Sequence, residues 1–96
     1  MYKLVATKPF DRKYKKVTKR NKILQEKIIQ TLEKLKNNPF DITLDTHKSN
    51  TRKYGERYSS SVTGDIRVIW DFDKETITLI LLLDLGGHSG KNKVYN

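Results

Sequence analysis

Two histidines, His47 and His88, are the side chains of this sequence best suited to moving protons near neutral pH. Facing one phosphate, two imidazoles can serve as base and acid. Taken singly, each also reads as an ordinary polar loop residue. His88, between Gly87 and Ser89 at a predicted strand end, has the stronger case. There is no cysteine and no carboxylate at His-ligand spacing, so no metal site of known type is expected. No Gly-rich phosphate loop is present. Ser59-Ser60-Ser61 has no histidine at a fixed offset, which leaves a serine nucleophile with little support.

Arg67 stands between Ile66 and Val68 in an alternating run and projects from the face opposite the apolar set. A guanidinium fixed on a sheet makes bidentate contacts to phosphate. The plainer reading is a surface ion pair with Asp65 or Asp71. Lys48, Arg52, Lys53 and Arg57 cluster before the second predicted strand and suit a nucleic-acid backbone, or simply a solvated loop. Tyr54, Tyr58 and Tyr95 offer faces for base stacking, with one or more of them expected in the core.

The net charge is +9, and its distribution is uneven. Residues 1–37 hold 12 Lys and Arg against 3 Asp and Glu, while residues 38–96 hold 8 of each. A basic field confined to one third of the chain, Lys13 and Lys16 included, attracts a polyanion. The competing reading is a solvated Lys-rich helix that keeps the protein soluble. The 96 residues fit one domain, 1–96. Absence of cysteine fits a reducing cytosol. No signal peptide is visible after Met1, and the apolar run Ile77 to Leu85 is too short for a membrane helix.

The elements that must position these groups follow from periodicity. Tyr2, Leu4 and Ala6 alternate as a short first strand. Thr7-Lys8-Pro9 opens a helix whose inner face is Phe10, Tyr14 and Val17. After a polar break at Thr18–Asn21, a second helix spans Lys22 to Asn37. Its stripe is Leu24, Ile28, Leu32 and Leu35, widened by Ile23 and Ile29, and Pro39 ends it. Phe40 to Tyr54 has no clear pattern and reads as a long loop of functional character. Strands follow at Arg57–Thr63, Ile66–Phe72 and Thr76–Asp84, the last buried on both faces. The order is β-α-α-β-β-β, an α+β fold. An antiparallel sheet packs one face on an N-terminal helical hairpin and leaves the other for the loop, the tail and a ligand.

This chain resembles the RelE/ParE toxin superfamily, within it the RNA-cleaving RelE and YafQ-like branch. The resemblance covers almost the whole chain. It is carried by Ser61-Val62-Thr63-Gly64-Asp65-Ile66-Arg67-Val68-Ile69-Trp70, by Leu81-Leu82-Leu83-Asp84-Leu85-Gly86-Gly87-His88-Ser89, by Thr46-His47-Lys48 and by Lys36-Asn37-Asn38-Pro39. It implies a RelE-like fold and cleavage of mRNA, usually on the ribosome, without a metal or other cofactor. It also implies an acidic antitoxin partner. His88 matches the family's C-terminal histidine, the candidate acid. Arg67 matches the arginine that holds the scissile phosphate. His47 matches a loop histidine, the candidate base, and Asp65 an acidic position of that branch. Tyr95 matches the aromatic residue near the chain end. The chain departs from the pattern at Ser49, where leucine is usual, and in the longer spacing from His88 to Val94-Tyr95.

Two other functions remain open on the sequence. The ParE branch shares the fold but inhibits DNA gyrase without catalysis, and a plain RNA- or partner-binding module would need no proton-transfer groups. Two histidines plus Arg67 favour cleavage.

Overall fold

The computed structural model describes residues 1–87 and 93–95. Strand β1 (Lys3–Ala6) leads into helix α1 (Lys8–Thr18), then α2 (Lys22–Asn37). A 3-10 turn at Ile42–Leu44 precedes β2 (His47–Thr51), β3 (Gly55–Ser61), β4 (Arg67–Phe72) and β5 (Leu79–Gly86).

Local chemistry sets the helix ends. Thr7 caps α1 by accepting from Phe10 N, and its hydroxyl donates to Leu82 O at 2.7 Å, which ties the cap to the sheet. Asn21 caps α2 through Leu24 N at 3.1 Å. Between the helices Arg20 takes a left-handed conformation, φ 59°, which lets a short turn reverse the chain.

The five strands form one sheet in the order β1-β5-β4-β3-β2. β1 runs parallel to β5 and every other pairing is antiparallel, so the sheet is mixed. The α+β class, the helical hairpin and the order of elements stand as read from the sequence. One strand is added: His47–Thr51, read as loop, pairs with β3 from His47↔Ser59 to Thr51↔Gly55. It is an edge strand of polar residues held by backbone bonds, so it shows no apolar alternation. The α2 stripe is also narrower than expected, since Ile23 and Ile29 are exposed.

The main core fills the helix-facing side of the sheet. Phe10, Ile28 and Leu35 from the helices meet Val68, Trp70, Ile80, Leu82 and Leu85 from the strands. Burial of such side chains, about 1.5–3 kcal/mol each, supplies most of the drive to fold. The opposite side carries a smaller cluster of Ile69, Leu83, Val94 and Tyr95. There the register slips between Ile69 and Trp70, opposite Asp84 and Leu82, so Leu83 is an extra residue on β5. Such a bulge bends the strand and re-aims the side chains beyond it.

Candidate functional site

Arg67 opens β4 on the side of the sheet away from the helices, pairing with Ser61 on β3 and Gly86 on β5. Its side chain is 12 % exposed and held on several sides. Nε donates to Ser59 Oγ at 2.6 Å, and Nη2 donates to Ser59 O at 3.1 Å and Asp45 O at 2.6 Å. Nη1 donates to Asp45 Oδ2 at 3.3 Å. The ion-pair partner is thus Asp45, not Asp65 or Asp71. Behind the guanidinium, Ser59 Oγ is hydrogen-bonded to the Tyr95 hydroxyl.

Tyr95 reaches Ser59 because the tail crosses this side of the sheet. Arg52 N donates to Val94 O at 2.9 Å and Val94 N to Gly87 O at 2.9 Å. Tyr95 also bridges Thr51. With 7 % exposure Tyr95 presents no face for stacking, and its hydroxyl supports Ser59, which in turn supports Arg67.

His47 stands beside Arg67, with Nδ1 3.4 Å from Nη2. The same Nδ1 lies 3.0 Å from Asp45 O. A carbonyl oxygen only accepts and a guanidinium only donates, so Nδ1 faces one of each; the tautomer that satisfies the shorter contact, to Asp45 O, carries its proton on Nδ1 and its lone pair on Nε2. An exposed imidazole in that tautomer is equipped to accept a proton.

Asp65 sits in the turn before β4, against the end of β5. A Cβ built on Gly87 would stand 2.6 Å from Asp65 O and 2.7 Å from its Oδ1, so only glycine lets the two backbones approach this closely. His88 lies outside the described residues. The chain enters it from Gly87, next to Gly86, the pairing partner of Arg67.

The remaining cations divide among several places. Lys48 Nζ stands 5.3 Å from the centre of the Tyr58 ring, and Tyr58 stacks on Trp70 at 4.7 Å, on the helix-facing side. Arg57 is paired with Asp71 at 2.9 Å, in a cleft with Asp73 and Glu75. Lys13, Arg52, Lys53 and Lys93 line a second cavity of about 370 Å³ around Asp84. The Asp84 carboxylate is occupied by Lys13 Nζ at 3.2 Å and Leu85 N at 2.8 Å. The other three cations therefore dominate the cavity and suit an anion. Burial pushes the nearby Tyr54 phenol above its ordinary 10.0, with Asp84 adding and Arg12 opposing, so it stays neutral at pH 7. Lys16 is exposed on α1.

Sequence reasoning therefore anticipated Arg67 and His47 in one place and missed Asp45 and Ser59. Ser59 had a readable signal, since alternation puts it on the opposite face from Tyr58 and Ser60. Asp45 had none, because its position follows from a left-handed backbone, φ 48°, at the end of the 3-10 turn. Among the described residues no group of three His, Cys, Asp or Glu side chains is placed to hold a metal, and no helix is long and apolar enough to cross a membrane.

No protein-family model and no curated protein matches the sequence. Solved structures do match. YafQ in the Escherichia coli DinJ–YafQ complex gives a TM-score of 0.69 at 18 % identity, over 92 % of this chain and 94 % of that one. The Staphylococcus aureus YoeB–YefM toxin–antitoxin heterotetramer gives 0.68 at 16 %, over 93 % and 99 %. A metal-bound toxin from Helicobacter pylori gives 0.67 at 17 %, over 92 % and 96 %. At such identities the likeness establishes the RelE-like fold.

Proposed function

We propose that this chain is the toxin of a toxin–antitoxin pair and acts as a metal-independent endoribonuclease that cleaves mRNA, on the ribosome, and so stops translation. The observation that carries this reading is the meeting of Arg67 and His47. A nearly buried guanidinium, locked by Ser59 and Asp45, lies beside an exposed imidazole that, with its proton on Nδ1 toward Asp45 O, has Nε2 able to accept a proton.

Arg67 holds the scissile phosphate and neutralises charge that grows in the transition state. His47 Nε2 takes the proton from the ribose 2′-hydroxyl, whose oxygen forms a bond to phosphorus. The bond from phosphorus to the 5′-oxygen breaks, and His88 donates a proton to that oxygen. The products are a 2′,3′-cyclic phosphate and a 5′-hydroxyl. Ser59 and Tyr95 keep the Arg67 plane fixed, and Asp65 braces Gly87 on the approach to His88. Lys13, Arg52, Lys53 and Lys93 attract the RNA backbone, with Lys16 and the other helical lysines adding the long-range field. The same positive charge suits an acidic cognate antitoxin, and the Staphylococcus aureus YoeB–YefM structure of this fold is a toxin–antitoxin complex.

In vitro translation followed by primer extension tests the reading. Codon-phased cuts that vanish in His88→Ala are expected. Gyrase poisoning without cuts would replace this reading with the ParE-like one, and inertness in both assays would leave a binding module. Ribosome affinity should fall steeply from low to physiological salt.

A further inference from the structure

Arg67 has little left to offer a ligand. Its guanidinium carries five N–H donors, and bonds to Ser59 Oγ, Ser59 O, Asp45 O and Asp45 Oδ2 leave about one unused. The unused hydrogen and the one on Asp45 Oδ2 both belong to Nη1, which is therefore the corner of the guanidinium open to a phosphate. Three of the existing bonds end on a buried serine or on backbone carbonyls and fix the guanidinium plane. Only the fourth ends on an exposed side chain, the Asp45 carboxylate, which is 74 % exposed and can rotate away into water. Asp45 thus holds one of the two Nη1 hydrogens that a phosphate would use.

Building on the phosphate-holding role given to Arg67 above, we propose that Asp45 is a built-in competitor whose carboxylate occupies the phosphate seat in the unliganded protein and is displaced by a phosphodiester of RNA. A carboxylate tethered beside its partner acts at high effective concentration, so a lone small anion competes poorly against it. A phosphodiester within a chain also gains the cavity of Lys13, Arg52, Lys53 and Lys93, and that added attraction moves the balance. Asp45 thus raises the threshold for every anion, and a polymer, helped by those cations, is the one that passes it. The backbone at Asp45 suits this use, since φ 48° is tolerated by a short polar residue such as Asp or Asn.

The test measures fluorescence anisotropy of a labelled oligodeoxynucleotide, which lacks the attacking 2′-hydroxyl, with inorganic phosphate as the competing small anion. Asp45→Asn keeps the left-handed backbone and the carbonyl bonds to Arg67 and His47 while removing the charge. It should bind the oligonucleotide about two- to fivefold tighter, the range given by an exposed ion pair. Inorganic phosphate should then displace the oligonucleotide at a correspondingly lower concentration. Asp45→Gly, also at ease with positive φ, should behave alike. Glu26→Gln on α2 makes the same change in charge far from the seat and should gain clearly less. In an Arg67→Ala background the Asp45→Asn gain should vanish. A gain that persists without Arg67, or one matched by Glu26→Gln, overturns the proposal. The two levels separate cleanly. If Arg67→Ala alone leaves oligonucleotide affinity unchanged, Arg67 holds no phosphate and both ideas fall. If Arg67→Ala weakens binding but Asp45→Asn does not strengthen it, only the role of Asp45 falls.

Discussion

Ser59 and Ser60 are adjacent in sequence, equally buried, and serve opposite sides of the sheet. On the helix side, Ser60 Oγ accepts from Trp70 Nε1 at 2.8 Å and lies 2.6 Å from Thr46 Oγ1. The Thr46 hydrogen goes to Pro39 O at 2.7 Å, so Ser60 must donate to Thr46. The relay is neutral and complete, and it ends in backbone. On the other side, Ser59 Oγ accepts from a charged guanidinium and meets the Tyr95 hydroxyl. That network ends at Asp45 and His47, both exposed. One strand thus uses the same hydroxyl twice, once to seal a core and once to aim a cation. Closed networks rigidify a fold, whereas open ones leave groups for a ligand.

Mutations can break this contrast in graded steps. Arg67→Ala should lower cleavage by about 10²–10³, as loss of a preorganised charge-stabilising donor does. Its effect on ribosome affinity and melting temperature should be far smaller, and equal losses in cleavage and binding would reduce Arg67 to a docking contact. Trp70→Ala should do the reverse, costing about 3–5 kcal/mol of stability in urea unfolding. The serine pair gives the sharper comparison. Ser60→Ala leaves the buried Trp70 indole without its acceptor and should cost about 1–3 kcal/mol of stability, with turnover per folded molecule preserved. Ser59→Ala loosens Arg67 and should lower kcat about tenfold while KM moves little. Matching effects of the two alanines would erase the distinction. Gly87→Ala forces a Cβ into Asp65 and should cost about 1–3 kcal/mol by thermal melting, with cleavage falling alongside.

The smallest expected effect concerns Asp41, which lies on neither side. Hydrogen bonds from the Thr43 side chain and backbone hold its carboxyl below the ordinary 3.8. A lowered folded value means the stabilisation is present above the ordinary value and is lost as pH falls through the folded one. The melting-temperature gap between wild type and Asp41→Ala should therefore close as the pH drops below 3.8. A gap that stays constant would show that the Thr43 contacts add nothing.

What the sequence disclosed followed physical periodicity. The second helix runs from Lys22 to Asn37, as its stripe and flanking polar residues require. β4 could be read with its two faces assigned, because Val68 and Trp70 differ in kind from Arg67. Edge strand β2 escaped notice because its order comes from backbone pairing rather than side-chain pattern. Thr76–Thr78 looked strand-like from β-branching alone, yet all three are exposed and β5 begins at Leu79. At the site, the residues that could be named had distinctive chemistry, a guanidinium and an imidazole. Their supports, Ser59 and Asp45, are common residue types that gain meaning only from where the fold puts them. Lys48 shows the opposite case: its sequence position suggested a shared site with Arg52 and Lys53, and pairing with Tyr58 sends it to the other side.

The parallel pairing of β1 with β5 joins partners 76 residues apart, from Lys3↔Leu79 to Ala6↔Leu82, and the bond from Thr7 to Leu82 continues it. A ribosome makes the basic helical hairpin before the sheet, and β5, the strand on which α1 lies, is the last strand added. The nascent chain therefore carries a positively charged, half-apolar hairpin over an unfinished sheet for most of its synthesis. Arg67 likewise lacks Gly86, its neighbour on β5, until that strand emerges. The sheet is completed late, leaving a co-translational partner an interval in which to meet the chain before its fold closes.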